Sequence, residues 1–500
     1  SSVWTDGKDY TEYKALSGNN YYYIDNINIT ELGISEDSAA AKEEFASALS
    51  ALLYDNPVFY YTKGEYYTSY SYMYNSQKKS YVKNTFLRPC INEAYLKASY
   101  RKLLQQDIYD YIIEMTAPTK SFTRRFERAL IIHDKMLPLM TYNKNSITLS
   151  NKKAGGATLT AAEEAEITYS HNIIGAVEYQ TGVCESYAKT YQMLLNYIGI
   201  DNIFIMGTET ESNVGHGWNA VKMDNGVYYF VDPTWDDKLE THKFFAKGHT
   251  VFDDKHIVAG TDGDYYFYPL PSNIPQGDYS CQANNPTLYT QMSDFSFYIN
   301  KDNTVTIRRY LGSASKVTIP TQIMGFKVTE IGADAFWGKS GVSEVVIPDG
   351  ITTVGSGAFF ITNLTSVTIP KSVTSIGSYA FGWMHSKSAT YNFDGNYSAL
   401  SPIKKTGFTV YCYSDSAGYR YAVNNGFKYV LLDASVKPGD VDNNGKVDIK
   451  DVMLIQQSIV GWNVDIVKAA ADVNADGAVN IKDVMLIQQY IVGWNVTLKT

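Results

Sequence analysis

Three residues of this chain have side chains that can together transfer an acyl group: Cys184 in GVCESYAKTYQMLLNYIGI, His216 in GHGWNAV and Asp232 in YYFVDPTWDD. A thiol attacks a carbonyl as its thiolate. It therefore needs an imidazole to take its proton and a third group to orient that imidazole. After Cys184, Ala188, Tyr191, Leu194, Leu195 and Ile198 recur at helical spacing on one face, so the sulfur opens a helix, where the positive end of the macrodipole favours an anion. Of the 7 histidines, His216 is the one that local structure carries toward a carboxylate, and His133 reads as structural or exposed. Trp218 and Trp235 flank the other two residues and either pack over the site or line a groove.

A second chemistry lies at the C-terminal end. Asp440, Asp442, Asn444, Asp448 and Asp451 fall at positions 1, 3, 5, 9 and 12 of a loop with Gly445 at 6. Asp472, Asn474, Asp476, Asn480 and Asp483 repeat the pattern around Gly477. Hard oxygen donors at alternate positions, around a glycine that permits a sharp turn, are what calcium needs, with the Lys446 and Ala478 carbonyls supplying position 7. Two Ca2+ ions are expected. Position 12 is Asp rather than the Glu of an EF-hand, and no helix clearly precedes the first loop.

The elements that must position these groups are legible in outline. GWNAVKM and VYYFVDP read as strands joined by the turn Asp224-Asn225-Gly226, a hairpin that folds His216 and Asp232 toward each other at its open end. The 25 residues 440–464 recur as 472–496, a period of 32, behind a linker at 433–438. Between 285 and 432, strand-like VTIP, VVIP and VTIP each precede an IG or VG pair and an AF pair. Those pairs end at Phe336, Phe359 and Phe381, 23 and 22 residues apart, the signature of a solenoid whose units bury their apolar faces against one another. Residues 121–275 form the block that carries the cysteine. Residues 1–120 read as a mixed helical segment of unknown role, with helices around SAAAKEEFASALSALLY and INEAYLKASYRKLLQQDIYDYIIEM.

The totals bound the partners. At 500 residues, 45% hydrophobic and 19% charged, this is a folded chain of about three domains. A net charge of -9 with no lysine- or arginine-rich block argues against nucleic acid. No transmembrane segment appears, and Ser1 without an apolar leader fits either a mature secreted protein or a trimmed chain. The 42 tyrosines fit an extracellular surface. Four scattered cysteines make neither a disulfide framework nor a zinc site, and a single bridge such as Cys90 to Cys281 stays open.

The cysteine, histidine and aspartate motifs, preceded by ALIIHDKMLPLMTYN, resemble the transglutaminase-like superfamily, whose core is related to papain-type cysteine peptidases. The resemblance implies a Cys-His-Asp triad in the order Cys184, His216, Asp232, with no catalytic cofactor. Its oxyanion donors are open among the Cys184 N–H, Gln180 and Tyr179. Residues 439–500 resemble a type I dockerin, which plugs cellulosomal proteins into the cohesin modules of a scaffoldin. That resemblance puts the cohesin contacts on the helix after each loop, at Ile449, Lys450, Gln456 and Gln457 and their twins Ile481, Lys482, Gln488 and Gln489, with Ile449 and Ile481 as core residues being the alternative. The repeats resemble the leucine-rich repeats of bacterial surface proteins, either a face for a protein or glycan ligand or a rigid spacer. The fold class is accordingly multidomain α+β: a papain/transglutaminase-like core, a β-rich leucine-rich-repeat solenoid and a small all-α calcium-binding dockerin. Three functions compete. One is an extracellular cysteine peptidase, amidase or acyltransferase attached to the cellulosome; a second is a non-catalytic adhesion component with a vestigial triad. The weakest is a carbohydrate-active enzyme of plant cell walls, for which no paired-carboxylate motif stands out.

Overall fold

The computed structural model describes residues 11–14, 20–23, 27–28, 48–49, 52–53 and 55–499, apart from 211–213, 240, 259–270, 272, 283–284, 386–401 and 434–436. The helix expected around SAAAKEEFASALSALLY lies largely outside the described residues. The chain forms two compact units, residues 1–312 with 322–328 and residues 313–321 with 329–500.

In the first unit, α1 (Ala98–Thr116), α2 (Arg125–Met136), α3 (Lys144–Ala154), α4 (Ala161–Ser170) and α5 (Ile173–Tyr179) precede α6 (Cys184–Tyr197). A four-stranded antiparallel sheet follows, built from β1 (Asn202–Glu209), β2 (Gly215–Lys222), β3 (Tyr228–Val231) and β4 (His256–Val258) in the order β3-β2-β1-β4. The β2–β3 turn is the expected one, with Gly226 at φ 76° supplying the left-handed residue. Gly207 on β1 answers a different need: a Cβ there would lie 2.2 Å from the Ile257 oxygen and 2.4 Å from the Trp218 ring, so any larger residue would push β4 off the sheet.

Helix α6 was expected to bury one face, yet Ser186, Tyr187, Thr190 and Gln192 are buried as well as the apolar set. It is the central helix, packed between α2, α5 and the sheet. Some of its buried polar groups are satisfied across those contacts: Tyr191 Oη donates to the Ala129 carbonyl at 3.0 Å and Ser186 Oγ to the Asn172 carbonyl at 2.8 Å.

A short helix, α7 (Pro233–Leu239), anchors the sheet to the helical layer through its acids. Asp236 accepts the Phe244 N–H at 2.7 Å and faces His133 Nε2 of α2 at 3.4 Å. Asp237 accepts the hydroxyls of Tyr187 at 3.0 Å and Tyr298 at 2.8 Å. Tyr298 belongs to β5 (Phe295–Ile299), which with β6 (Val305–Tyr310) makes a hairpin inside this first unit. His133, with 0% exposure, also holds Asp134 at 2.8 Å, and Asp134 in turn pairs with His242 Nε2 at 2.8 Å. Burial works against charge on His133, but Asp134 and Asp236 outweigh it and hold the imidazole up at about 9. Cys281 is a free thiol, so no Cys90–Cys281 bridge forms.

The second unit contains the solenoid and the C-terminal module. Successive coils pair in parallel, Lys316–Thr318 with Glu344–Val346 on one side and Thr353–Val354 with Ser375–Ile376 on the other. The AF phenylalanines form a continuous stack: Phe359 is 0% exposed, with its ring 4.6 Å from Phe336 and 4.9 Å from Phe381. The glycines of the IG and VG pairs let the coils approach, since a Cβ on Gly355 would sit 2.3 Å from the Ala333 nitrogen and one on Gly377 2.4 Å from the Ser356 nitrogen. Tyr421 of α8 (Ala417–Asn425) closes the stack, its hydroxyl bonded to both the N–H and the carbonyl of Phe381 at 2.8 Å. In the C-terminal module, α9 (Ile449–Ile459) and α10 (Ile481–Ile491) bury the twin pairs Val452 and Val484, Ile455 and Ile487.

Two stability measurements follow from this packing. Phe359→Ala removes the middle ring of a closed stack and is expected to cost about 3–5 kcal/mol in denaturant unfolding of the repeat region; a loss near zero would mean that the stack is not a core. His133 is held up when folded, so its contribution is complete below about pH 6.5 and disappears as pH rises through about 9. The gap in unfolding midpoint between wild type and His133→Gln should therefore shrink between about pH 6 and pH 10, and an unchanged gap would show a neutral imidazole.

Candidate active site and calcium loops

The site is assembled from the α6 N-terminus and the open end of the β2–β3 hairpin. His216 enters β2, Asp232 follows β3, and His216 Nε2 lies 2.7 Å from Asp232 Oδ2. That bond leaves Nδ1 available to the Cys184 sulfur, which is close enough to act on the imidazole. Burial disfavours a charged His216, but Asp232 and then Cys184 outweigh it and hold the ring up at about 10. Burial likewise pushes the Asp232 carboxyl up, while His216 and His256 hold it well below the usual range. Asp232 is fixed from its other side too: Oδ1 accepts the Thr234 and Trp235 N–H groups at 3.0 and 3.1 Å, so the orienting carboxylate is also the N-cap of α7.

Both tryptophans pack against His216. Trp218 is fully buried beneath His216, with ring centroids 5.9 Å apart. Trp235 is half-buried and stands edge-on to His216 at 6.2 Å, its Nε1 donating to Glu209 at 3.2 Å. Of the oxyanion candidates, the Cys184 N–H is a first-turn donor without an intrahelical partner. Tyr179 is instead stacked on Tyr169 at 4.0 Å, and the Gln180 side chain is exposed beyond α5.

Two residues escaped the sequence reading. Tyr142 lies on a two-residue strand, Thr141–Tyr142, paired in parallel with Thr181–Gly182 just ahead of Cys184. Burial, and after it the charges of Cys184, Glu209 and Asp232, push its hydroxyl up, so Tyr142 is a neutral donor at the mouth of the site. The other is His256, whose Nε2 lies 2.9 Å from the same Asp232 oxygen that His216 uses. His256 carries no local motif, and Tyr142 ends the ALIIHDKMLPLMTYN stretch without a chemical signal of its own; each reaches the site through strand pairing.

At the C-terminal end both loops fold alike. Asp440 accepts the N–H groups of Asn444 and Gly445 at 3.0 and 2.8 Å, and Asp472 those of Asp476 and Gly477 at 3.1 and 2.8 Å. Asp442, Asn444, Asn474 and Asp476 likewise accept loop N–H groups with their side-chain oxygens. Asp451 and Asp483, both fully buried, close back on the loop through the Val441 and Asn474 N–H groups at 2.8 and 3.3 Å. Carboxylate oxygens of Asp440, Asp442 and Asp451 lie within 4.8 Å of one another. Like charges gathered so closely fit a divalent cation; burial, with Asp451 and Asp442 adding to it, raises the Asp440 carboxyl. Asp448 and Asn480 cap α9 and α10, accepting the Lys450 and Lys482 N–H groups at 2.8 and 2.9 Å. Lys446 and Ala478 sit exposed at loop position 7. On the helices, Ile449 and Ile481 are 59% and 58% exposed, which removes them from the core. Lys450, Lys482, Gln456 and Gln488 are exposed, and Gln457 and Gln489 half-buried.

Three parts of the chain match known families. Residues 74–250 match the profile of a transglutaminase-like domain, 307–401 six copies of the BspA-type leucine-rich repeat region, and 438–492 the type I dockerin domain. No curated protein is significantly similar to the chain. Among solved structures, a leucine-rich cell surface protein from Faecalibacterium prausnitzii is 37% identical over 17% of this chain and 25% of its own, with a TM-score of 0.16. A crystal structure described as a TGase is 14% identical over 40% and 49%, with a TM-score of 0.22. One described as a putative cysteine protease from Cytophaga hutchinsonii is 9% identical over 34% and 64%, with a TM-score of 0.17. In each, the chain spans less than two thirds of the relative's own length. Type I dockerins generally bind calcium and imply a cohesin partner, and no helix among the described residues is long and apolar enough to cross a membrane. The chain is therefore a multidomain protein of cellulosome type, joining a transglutaminase-like domain, a BspA-type leucine-rich repeat region and a type I dockerin in that order.

Proposed function

We propose that this is a secreted, cellulosome-attached cysteine acyl-transfer enzyme acting on protein or peptide amides. The observation that carries the reading is a buried His216–Asp232 pair, 2.7 Å apart, presented to a thiol at a helix N-terminus. The Cys184 thiolate attacks the amide carbonyl carbon, and the Cys184 N–H and the Tyr142 hydroxyl face the oxyanion that forms. As the C–N bond breaks, His216 gives its Nδ1 proton to the leaving amine, and a thioester remains. Water or an amine then attacks the thioester, losing its proton to His216 and restoring the thiolate–imidazolium pair. With water the enzyme is a peptidase or amidase; with an amine it crosslinks.

The dockerin gives the location. Asp440, Asp442, Asn444, Asp448, Asp451 and the Lys446 carbonyl would hold one calcium ion. Asp472, Asn474, Asp476, Asn480, Asp483 and the Ala478 carbonyl would hold a second. The bound cation would neutralise the gathered carboxylates and rigidify each loop. The two exposed helix faces headed by Ile449 and Ile481 then offer nearly identical cohesin surfaces. The repeats add an extended face for a protein or glycan ligand.

Two measurements test these assignments. Iodoacetamide labelling resolved by peptide mass spectrometry should modify Cys184 well before Cys281 or Cys412 at pH 6, with a loss of about 10²-fold in His216→Ala. A Cys184 no faster than the other two would remove the catalytic reading. Acyl transfer itself should fade as pH rises through about 10, where His216 gives up its proton. For the loops, calorimetric titration of the full chain should find two calcium ions, one of them lost in Asp440→Ala and the other in Asp472→Ala; unchanged stoichiometry in either variant would refute that site.

A further inference from the structure

The carboxylate that orients His216 is shared. Asp232 Oδ2 is 2.7 Å from His216 Nε2 and 2.9 Å from His256 Nε2, so two imidazoles converge on one oxygen. His256 is anchored at its other nitrogen as well, with Nδ1 3.2 Å from the Phe252 carbonyl oxygen. A carbonyl has no proton to give, so Nδ1 carries one. If Nε2 carried none, its lone pair would point at a carboxylate held in its ionised form. The only protonation state in which both contacts attract is the imidazolium.

The surroundings make that charge count. The His256 side chain is 1% exposed. It stacks on Phe252 at 3.9 Å between rings and is walled by Trp218 at 5.0 Å and by Trp235 and Phe244 at 5.4 Å. The ionisable groups that face it are few. Asp232 comes from the start of α7, His216 from β2 at 5.5 Å between rings, and Glu209 from β1 as its strand-register partner. Asp236, next on α7, is turned away to the Phe244 N–H and His133, and His249 is occupied with Asp253 at 3.0 Å.

Resting on the acyl-transfer reading above, we propose that His256 is a positioning residue for it: a buried, doubly protonated imidazole that holds Asp232 in place and balances its charge. The thiolate, the two imidazoliums and the carboxylate then sum to zero. A dry site can keep a reactive ion pair at rest only when its charges are so compensated. The second cation also takes part of the Asp232 oxygen away from His216. His216 thus remains able to part with its proton when the leaving amine needs it, rather than being locked to the carboxylate.

Removing a buried positive charge disfavours nearby anions and favours nearby cations, so the loss of His256 has a signed consequence. In His256→Asn and His256→Gln, the pH midpoint of Cys184 alkylation should move up by about one unit. A residue that merely fills space would lower the rate without moving the midpoint, and an unmoved midpoint in both variants overturns the proposal. A second readout does not depend on the labelling of Cys184. In ¹⁵N-histidine-labelled full-length wild-type protein, both His256 ring nitrogens should show directly bonded protons at pH 7; a neutral tautomer there overturns the proposal whatever the alkylation shows. If His256 is doubly protonated while wild-type Cys184 labels no faster than Cys281, the acyl-transfer reading fails and the charged histidine stands. Fast labelling beside a neutral His256 is the reverse case.

Discussion

The first unit depends on where one carboxylate sits. Asp232 ends a strand, caps a helix with one oxygen and receives two histidines on the other. Burying such a charge costs several kcal/mol unless it is fully bonded, and four donors supply that compensation. The same bonds set the geometry of the chemistry. The helix N-terminus fixes the carboxylate, and the carboxylate fixes the His216 ring, leaving Nδ1 for the proposed partner Cys184.

Around that point the fold repeats a single device, an acidic side chain used as a joint between layers. Asp236 ties α7 to α2 through His133, and Asp237 ties it to α6 and to the β5–β6 hairpin through two tyrosine hydroxyls. The Asp237 bonds are directional, so they resist sliding between sheet and helices in a way that apolar contact alone does not. The aromatic core of Trp218, Phe230, Phe244 and Phe252 supplies the bulk of the apolar burial beneath them.

The second unit solves a different problem, that of stabilising units too small to hold a core alone. In the solenoid each coil contributes one phenylalanine to a stack, and glycine at the tightest approach lets the coils close. In the C-terminal module two copies bury equivalent valines and isoleucines against each other. Their chain ends are tied by equivalent bonds as well, Val467 N–H to the Val441 carbonyl and Lys499 N–H to the Val473 carbonyl, both at 2.9 Å. Duplication thus leaves two matched, exposed helix faces, a property of the pair that neither copy has alone.

What could be read without coordinates was whatever is local or periodic. The His216–Asp232 approach rests on a short turn at Asp224–Gly226, and the phenylalanine stack on a spacing of 22 and 23 residues. Both follow from strand and coil geometry within a few dozen residues. The exposure of Ile449 and Ile481 was undecided, because the face a short helix turns inward depends on what packs against it. The burial of α6 on all sides was hidden for a related reason: Tyr191, Ser186 and Tyr187 find partners at Ala129, Asn172 and Asp237, on or beside other helices, which no helical period reveals. Tyr142 and His256 are the sharpest cases. No local signal marks either side chain as part of the site, and they reach it through pairing with Gly182 and Glu209. By itself the sequence determined the residue types, the order of the domains and the contacts that a turn or a repeat enforces. The tertiary structure alone decided which distant side chains share the Asp232 oxygen, because that contact is made by strands whose pairing depends on the packing of the whole sheet.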